Sequence, residues 1–406
     1  MKIGIICQYF PPEVAPIGVM VEELSRDFSK KGHDVSVFTG FPNHPKGEIF
    51  EGFTSKILGT TENHCDGVKI HRAWSYLTKS KSLVQRAFNY ITFTLATIFT
   101  VLFHRKDVYL VISQPFSNVM LCVLLKLLRR PYVLVVQDIY PDAAITLEII
   151  SNPILIKVLY RLEYIFYKFA SKVIVISEGF SENLVRKGVP REKIVIIPNW
   201  IDLDEIRFVE SNNKFSEKYD LKNQFTVLYS GTIGLASGAE VVYEMAKLLS
   251  HESEITVMMV GDGVVKQDIE KNAQAENIQN IQFAPFQPRQ ILPQILSSAS
   301  VGLVTLLPGH AGNSVPSKIL GYMAVGCPVI ASADKGSDTY NFVMESGCGL
   351  CVKAGDAIAL AEAVWTLKNN SELATTLGKQ GRIYLEQYLS RDYVTGIYEG
   401  LVRDIR

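Results

Sequence analysis

The chain carries no net charge: 41 Lys and Arg stand against 41 Asp and Glu. Nothing in the totals marks a nucleic-acid binder, and none is expected as a partner. Cysteine is scarce and unpatterned. Cys7, Cys65, Cys122, Cys327, Cys348 and Cys351 lie among apolar neighbours with no leader peptide ahead of them, which points to a reducing compartment. Cys348 and Cys351 form a single C-x-x-C, but a zinc site needs four ligands and no second pair accompanies it. Buried structural thiols are expected instead. Low-complexity tracts and short repeats are absent, and 48% hydrophobic with 20% charged residues excludes disorder. The dinucleotide fingerprint is missing too. The first strand runs into "QYFPPEVAPIG" rather than G-x-G-x-x-G, and no acidic residue ends the second strand "DVSVFTG", which argues against a dehydrogenase. No acidic pair resembling D-x-D closes a strand, so no metal or other cofactor is expected.

What is present is a long alternation of strands and helices. At 406 residues the chain suits two domains of roughly 200 residues. "MKIGIIC", a helix through Val21, Leu24 and Phe28, and "DVSVFTG" make a right-handed βαβ unit, hence a parallel sheet. "DVYLVIS", "YVLVVQD", "KVIVIS" and "KIVIIPN" continue it, their Val/Ile runs reading as strands covered on both faces. A second series opens at "FTVLYSG" and repeats the pattern through "GLCV". The expected fold class is α/β, two Rossmann-like doubly wound parallel-sheet domains facing a cleft. The domains are read as 1–200 and 201–385, with a C-terminal helix over about 386–406 packing back on the first. Ligands of such sheets bind at the carboxyl ends of the strands.

Three strand-end loops of the second domain form the candidate donor site. Gly231, Thr232 and Gly234 lie in "GTIGLASG", and Gly261 with Asp262 in "VGDG", where bare backbone N–H groups can approach a phosphate. Asn313, Ser314, Pro316, Ser317 and Lys318 close a polar loop and open a helix. A lysine in a first helical turn opposes the helix dipole unless an anion sits there; a solvated lysine covering apolar surface is the other reading. In the first domain Glu13, Gly18, Asn43, His44, Asp138 and Asp142 occupy strand-end loops. A carboxylate or imidazole there could orient an acceptor hydroxyl and take its proton, or could serve only as a cap or turn.

"QYFPPEVAPIG", "RKGHDVSVFTGFPNHPKGEIFEGF", "VVQDIYPDAA", "PNWIDLDEI", "YSGTIGLASGAE", "VGDG", "PSKILGYMAVGCPVIA" and "ESGCGLCVKAGDAIALAEAV", in this order, resemble glycosyltransferase family 4. More narrowly they are similar to its bacterial branch that adds amino- or deoxy-sugars such as N-acetylfucosamine during capsule, O-antigen and colanic-acid assembly. The resemblance covers nearly the whole chain. It implies a GT-B fold and a nucleotide-sugar donor, UDP-linked, on the second domain. It also implies a polyprenyl-diphosphate-linked acceptor on the first (Glu13, Gly18, Asn43, Asp142), retention at the anomeric carbon, and catalysis without metal through Asp138, His44 and Lys318. The sequence departs from the family at several positions. The two glutamates usual before "YMAVGCPV" are Asn313 and Gly321, the usual Arg and Lys after the first donor-domain strand are Ile233 and Ser237, and a common His is Gln137. A degenerate binding subunit, or an enzyme with a soluble acceptor, therefore stands as the alternative.

Residues 1–200 hold 24 basic against 17 acidic residues, a balance of +7, and the remainder −7. Within the first part Ala87–Phe103 carries no charge and is flanked by Lys79, Lys81 and Arg86 before and Arg105 and Lys106 after. Seventeen residues are short for a span of about 20, so a spanning helix, a helix lying in the bilayer interface and a buried helix all remain open. The interfacial reading makes the chain a cytoplasmic protein, peripheral on the inner face of the cytoplasmic membrane through residues 83–106.

Overall fold

The computed structural model describes residues 1–13, 15–80, 82–146, 149–234, 237–309 and 317–405, with nothing assigned to the Leu83 side chain. Two compact units divide the chain: Met1–Ile197 with Thr395–Arg406, and Pro198–Val394.

The first unit runs β1 Lys2–Ile6, α1 Pro16–Lys30, β2 Asp34–Gly40, β3 Thr60–Asn63, β4 Lys69–Ala73, α2 Leu83–Phe103, β5 Val108–Ile112, α3 Val119–Leu127, β6 Tyr132–Val136, α4 Asp142–Thr146, α5 Pro153–Phe169, β7 Lys172–Val175, α6 Glu178–Arg186 and β8 Ile194–Ile196. Its sheet is ordered β3-β4-β2-β1-β5-β6-β7-β8, parallel except for β3. The "VYLVI" and "YVLVV" runs form β5 and β6 and are buried at every residue, as strands covered on both faces must be. The crossover from β1 through α1 to β2 runs one way along the sheet; those carrying α2, α3, α5 and α6 run the other way. With right-handed connections, these four helices share one face and α1 takes the opposite one.

Strands β3 and β4 lack any apolar run that would announce them in the sequence. "KIHRA" makes a buried strand because the charge of Arg72 is consumed inside the unit. Its guanidinium donates to Glu62 Oε1 at 2.8 Å, to the carbonyls of Gly40 and Pro11 at 3.1 and 2.9 Å, and lies over the Phe53 ring. A buried cation is tolerated only when its donors are satisfied in this way.

The second unit comprises α7 Lys214–Lys218, β9 Phe225–Ser230, α8 Glu240–Leu248, β10 Ile255–Val260, α9 Lys266–Ala275, β11 Ile281–Ala284, α10 Leu292–Ser297, β12 Val301–Thr305, α11 Lys318–Ala324, β13 Val329–Ser332, α12 Asp338–Ser346, β14 Gly349–Val352, α13 Ala357–Asn369 and α14 Ser371–Tyr388. Its sheet is parallel and ordered β11-β10-β9-β12-β13-β14. The order reverses between β9 and β12, and the crevice at the carboxyl ends of such a pair is where an α/β sheet receives its ligand. The final helix, α15 Arg391–Asp404, carries the chain back to the first unit. There Glu399 takes Lys31 at 3.0 Å and His33 at 3.1 Å, just beyond α1.

Candidate active site

The end of β9 is built by two glycine turns packed against each other. A Cβ on Gly261 would lie 1.9 Å from the Gly231 carbonyl oxygen, and one on Gly263 2.1 Å from that of Ile233. Both Gly231 and Gly261 hold positive φ, at +133° and +149°, so no other residue fits this approach. Gly261→Ala should accordingly cost about 3 kcal/mol of stability in the second unit, by strain and overpacking together. Denaturant unfolding measures it, and an unchanged midpoint would mean that the turns can part.

The packing also corrects the expected phosphate cradle. Gly231 N–H donates to the Val260 carbonyl at 2.9 Å and Ile233 N–H to that of Asp262 at 2.9 Å, so neither can meet a ligand. Thr232 and Gly234 are the members of this turn whose N–H groups have no partner among the described residues. Thr232 is exposed, and its carbonyl accepts the Tyr229 hydroxyl at 2.8 Å. Asp262 is exposed as well, its carboxylate accepting its neighbour Gly263 N–H at 2.8 Å.

Lys318 opens α11, and the helix is locked to β9 one turn later. The buried Tyr322 hydroxyl donates to the Leu228 carbonyl at 2.9 Å and accepts Ser230 N–H at 3.1 Å. This clamp sets Lys318 Nζ 3.7 Å from the centre of the Tyr229 ring, with its Cε 3.6 Å from where a Gly231 Cβ would stand. The ammonium is half-buried, and no carboxylate faces it among the described residues. Desolvation pushes its pKa down to about 7. With seven residues α11 has little dipole to oppose, so position rather than helix electrostatics distinguishes this lysine. Ser317 is exposed and offers no side-chain cap.

Asn313, Ser314 and Pro316 lie outside the described residues. Of the described departures from the family pattern, Gln137 is half-buried and donates from Nε2 to Met20 Sδ at 3.5 Å, and the other three have become packing. Ile233 is core, Gly321 is buried with Leu296 Cδ1 3.2 Å from where its Cβ would stand, and Ser237 folds its hydroxyl onto its own turn. Lys266 supplies a second cation at the end of β10, its Nζ 3.0 Å from the Gly261 carbonyl. Sequence reasoning missed Lys266, Tyr229 and Tyr322; the i, i+4 spacing of Lys318 and Tyr322 in "SKILGY" was the available signal.

In the first unit Glu13 draws the acceptor-side loops together. It is buried, and its carboxylate accepts the N–H groups of Asn43 at 2.8 Å, His44 at 2.7 Å and Phe10 at 3.3 Å. Desolvation raises its pKa while these three bonds and Arg72 oppose the rise. The carboxylate thus faces loop backbone and holds Asn43 and His44 in place. Gly18, in the first turn of α1, lets that turn approach the loop closely: a Cβ there would stand 3.1 Å from the Tyr9 carbonyl oxygen. His44 is exposed, its ring 4.9 Å from that of Tyr9, with its pKa lowered by desolvation and by Arg86. Asp138 is exposed at the end of β6 and accepts a hydrogen bond from Gln114 Nε2; surrounding protein raises its pKa and that bond opposes the rise. Asp142 sits elsewhere than an open acceptor loop. Its carboxylate takes Lys187 Nζ at 2.8 Å and Asn183 Nδ2 at 3.0 Å, and Lys187 also binds the buried Glu163 at 2.7 Å. Asp142 ties α4 to α5 and α6, which is a structural role.

Helix α2 departs from an ordinary surface helix: it is apolar outward as well as inward, where Phe93 and Val101 are fully buried. Its inward face is partly polar: Asn89 accepts from Gln8 at 2.8 Å and donates to the Tyr76 carbonyl at 2.6 Å, and Thr94 bonds Ser117 at 2.7 Å. Its outward face is the apolar row Val84, Phe88, Ile91, Leu95, Phe99 and Leu102, each between 41% and 76% exposed. Val84–Phe103 is long and apolar enough to cross a membrane by length and composition alone. The inward bonds nevertheless bind it to the sheet as a surface element. Arg86 lies within its first turn and Arg105 just beyond its end, both exposed, whereas Lys106 is buried near Asp34. Lys106 therefore cannot serve the basic flank read from the sequence.

Two parallel-sheet Rossmann-like units, the second with a glycine turn and a half-buried lysine where its strand order reverses, define the GT-B class. Residues 17–205 match the family model described as Glycosyltransferase Family 4, and residues 211–384 match Glycosyl transferases group 1. The chain belongs to the glycosyltransferases of the GT-B fold that join these two domains. Among curated proteins it is 26% identical to WcaI of Escherichia coli K12, named as a colanic acid biosynthesis glycosyl transferase, over all of both chains. It is also 26% identical to the glycosyltransferase WbjE of Pseudomonas aeruginosa over 64% of this chain and 66% of the relative. Similar solved structures include Anabaena HepE in complex with UDP, at TM-score 0.75 and 16% identity over all of both chains. Another is the sucrose-phosphate synthase of Thermosynechococcus elongatus, at TM-score 0.77 and 18% identity over 100% of this chain and 98% of the other.

Proposed function

We propose that this glycosyltransferase moves an amino- or deoxy-sugar from a UDP-sugar to a polyprenyl-diphosphate-linked saccharide, with retention, in the assembly of a bacterial surface polysaccharide. The observation that carries the reading is Lys318: a half-buried cation without a carboxylate partner among the described residues, fixed over the end of β9 beside Gly231. In a retaining transfer the sugar–phosphate bond breaks through a cation-like state, and the protein's main task is to stabilise the departing diphosphate. Lys318 and the N–H groups of Thr232 and Gly234 would meet that charge, with Ser317 and Asp262 at the rim; donors of this kind contribute about 3 kcal/mol each. Asn313, Ser314 and Pro316 join this donor set by their place in the polar loop that leads into α11.

On the acceptor side His44, with its lowered pKa, is neutral near pH 7 and can take a hydroxyl proton, while Asp138 can orient that hydroxyl. Glu13 and Gly18 shape the loop that presents Asn43 and His44. The acceptor's lipid favours a protein lying on the inner face of the membrane, and the outward apolar row of α2 with Arg86 and Arg105 suits that surface. The name of WcaI supports the polysaccharide reading, and the HepE complex supports UDP.

A thermal-shift screen against UDP, GDP, ADP and dTDP tests the donor. UDP at 100 times its dissociation constant should add about 2.7 kcal/mol of stability. A shift from another nucleotide alone would replace UDP, and no shift from any would remove the donor site. Transfer should survive EDTA, because cations and amides rather than carboxylates are placed for the phosphates.

A further inference from the structure

We propose that helix α5 is a second lipid-binding element of the first unit, lying in the headgroup layer of an anionic bilayer beside α2. The inference rests on the membrane-surface part of the function proposed above and extends it from one helix to a three-helix face. Helix α5 shares its side of the sheet with α2 and α3, and α3 packs against both. Its inner side is anchored by Phe166, Tyr167 and Glu163, all buried. Its outer side should be polar if water covers it. Instead Ile154 is 77% exposed, and Leu155, Val158 and Tyr164 are each about half exposed.

The charges on this helix are one-sided. Lys157, Arg161 and Lys168 all face outward. Glu163, its one acid, is turned inward and bound by Lys187 and the Tyr167 hydroxyl. A shallow groove runs along Lys157, Tyr160, Arg161 and Tyr164, so cations and tyrosines alternate along one edge with aliphatic side chains beside them. Tyrosine at the level of the headgroups, lysine and arginine reaching phosphate, and aliphatic groups entering the acyl boundary are what a helix lying in the interface requires. Between α5 and α2, α3 continues the same chemistry with Leu127 75% exposed and Met120 41%, and with Lys126 and Arg129 outward. No acid lies on the outer side of α2, α3 or α5 among the described residues. Such a surface complements an anionic bilayer in charge, whereas a second copy of itself would bring cations against cations.

The test uses the full chain and vesicles of phosphatidylcholine with or without phosphatidylglycerol. The wild type should cosediment with the anionic vesicles, and Lys157→Glu with Arg161→Glu should lower its affinity at least twentyfold, while nucleotide binding by the second unit stays unchanged. Lys157→Gln with Arg161→Gln, the milder variant if charge reversal impairs folding, should lose about fivefold per site, the ratio that ~1 kcal/mol per cation represents. A tryptophan reporter, Val158→Trp, should be quenched by lipids brominated in the acyl chain beyond the quenching of the three native tryptophans. Unchanged affinity in both double variants, or an unquenched reporter, overturns the role of α5. If Leu95→Glu with Phe99→Glu on α2 still abolishes binding in that case, the membrane reading survives without α5. A wild type that ignores anionic vesicles overturns both. Dimers in sedimentation velocity that the α5 variants disperse would make the occupant a second copy, and would overturn the proposal too.

Discussion

Lys318→Met should weaken UDP binding by about 2 kcal/mol, roughly thirtyfold, and at the same time stabilise the ligand-free protein. The first half follows from losing a hydrogen bond between charged groups at a site that offers few other cations. The second follows from desolvation. With the Lys318 pKa near 7 in the fold and an ordinary value of 10.5, the charged form prefers the unfolded chain. Between pH 7 and 10.5 the unfolded state binds more protons, so this residue makes ligand-free stability rise with pH over that window; below pH 7 its destabilisation is fully present. Methionine keeps the aliphatic stem against Tyr229 without the charge, so the difference between variant and wild type should shrink as pH rises. Isothermal calorimetry reads the binding change and pH-dependent denaturant melts read the stability change. A solvated lysine would move neither, and a lysine of purely structural value would move stability downward.

The same depressed pKa couples binding to protons. Above pH 7 part of the ligand-free protein carries neutral Lys318 and must take up a proton to hold a diphosphate, so affinity should decline with rising pH and the binding enthalpy should depend on the buffer's ionisation. In the methionine variant both dependences should vanish.

The parallel sheets were legible because β5 and β6 are written as unbroken apolar runs, and β9 and β10 as apolar runs interrupted only by Thr226, Ser230 and Thr256, a pattern that leaves few alternatives once strands and helices alternate. Strand β4 was not legible, because Arg72 becomes a strand residue only through Glu62, Gly40 and Pro11, all distant in sequence. The site shows the same division. Glycines 231 and 261 announced a tight turn, but which N–H groups remain open depends on how two turns pack against each other, and that is tertiary information. Lys318 stood out in the sequence for a reason that a seven-residue helix does not support; its significance comes from the Tyr322 clamp to β9. Asp142 looked like an acceptor ligand only until Lys187 and Asn183, some forty residues later, closed on it.

Helix α2 carries the largest expected effect in the first unit. Its outward row is apolar although its inward face already buries Phe93 and Val101 beside Asn89, Thr94 and Thr97, so contact with water cannot account for the row and a nonaqueous contact can. Burying a large apolar side chain is worth about 1.5–3 kcal/mol, so Leu95→Glu with Phe99→Glu removes the equivalent of at least 3 kcal/mol and places charge where lipid should lie. Vesicle affinity should fall by a factor of 100 or more, and transfer to a lipid-linked acceptor should fall with it. UDP binding and transfer to a short-chain, water-soluble acceptor analogue should persist, because neither uses this face. Reversing Arg86 and Arg105 should act more weakly, at about 1 kcal/mol each, and only on anionic vesicles. Lys106 must be left in place, since it is buried beside Asp34 and its loss would disturb the fold instead of the surface. Because the substituted positions are solvent-facing, the melting temperature should hold or rise. If transfer to both acceptors continued undiminished with the row charged, the acceptor would be soluble and the row would be covered by something other than a bilayer.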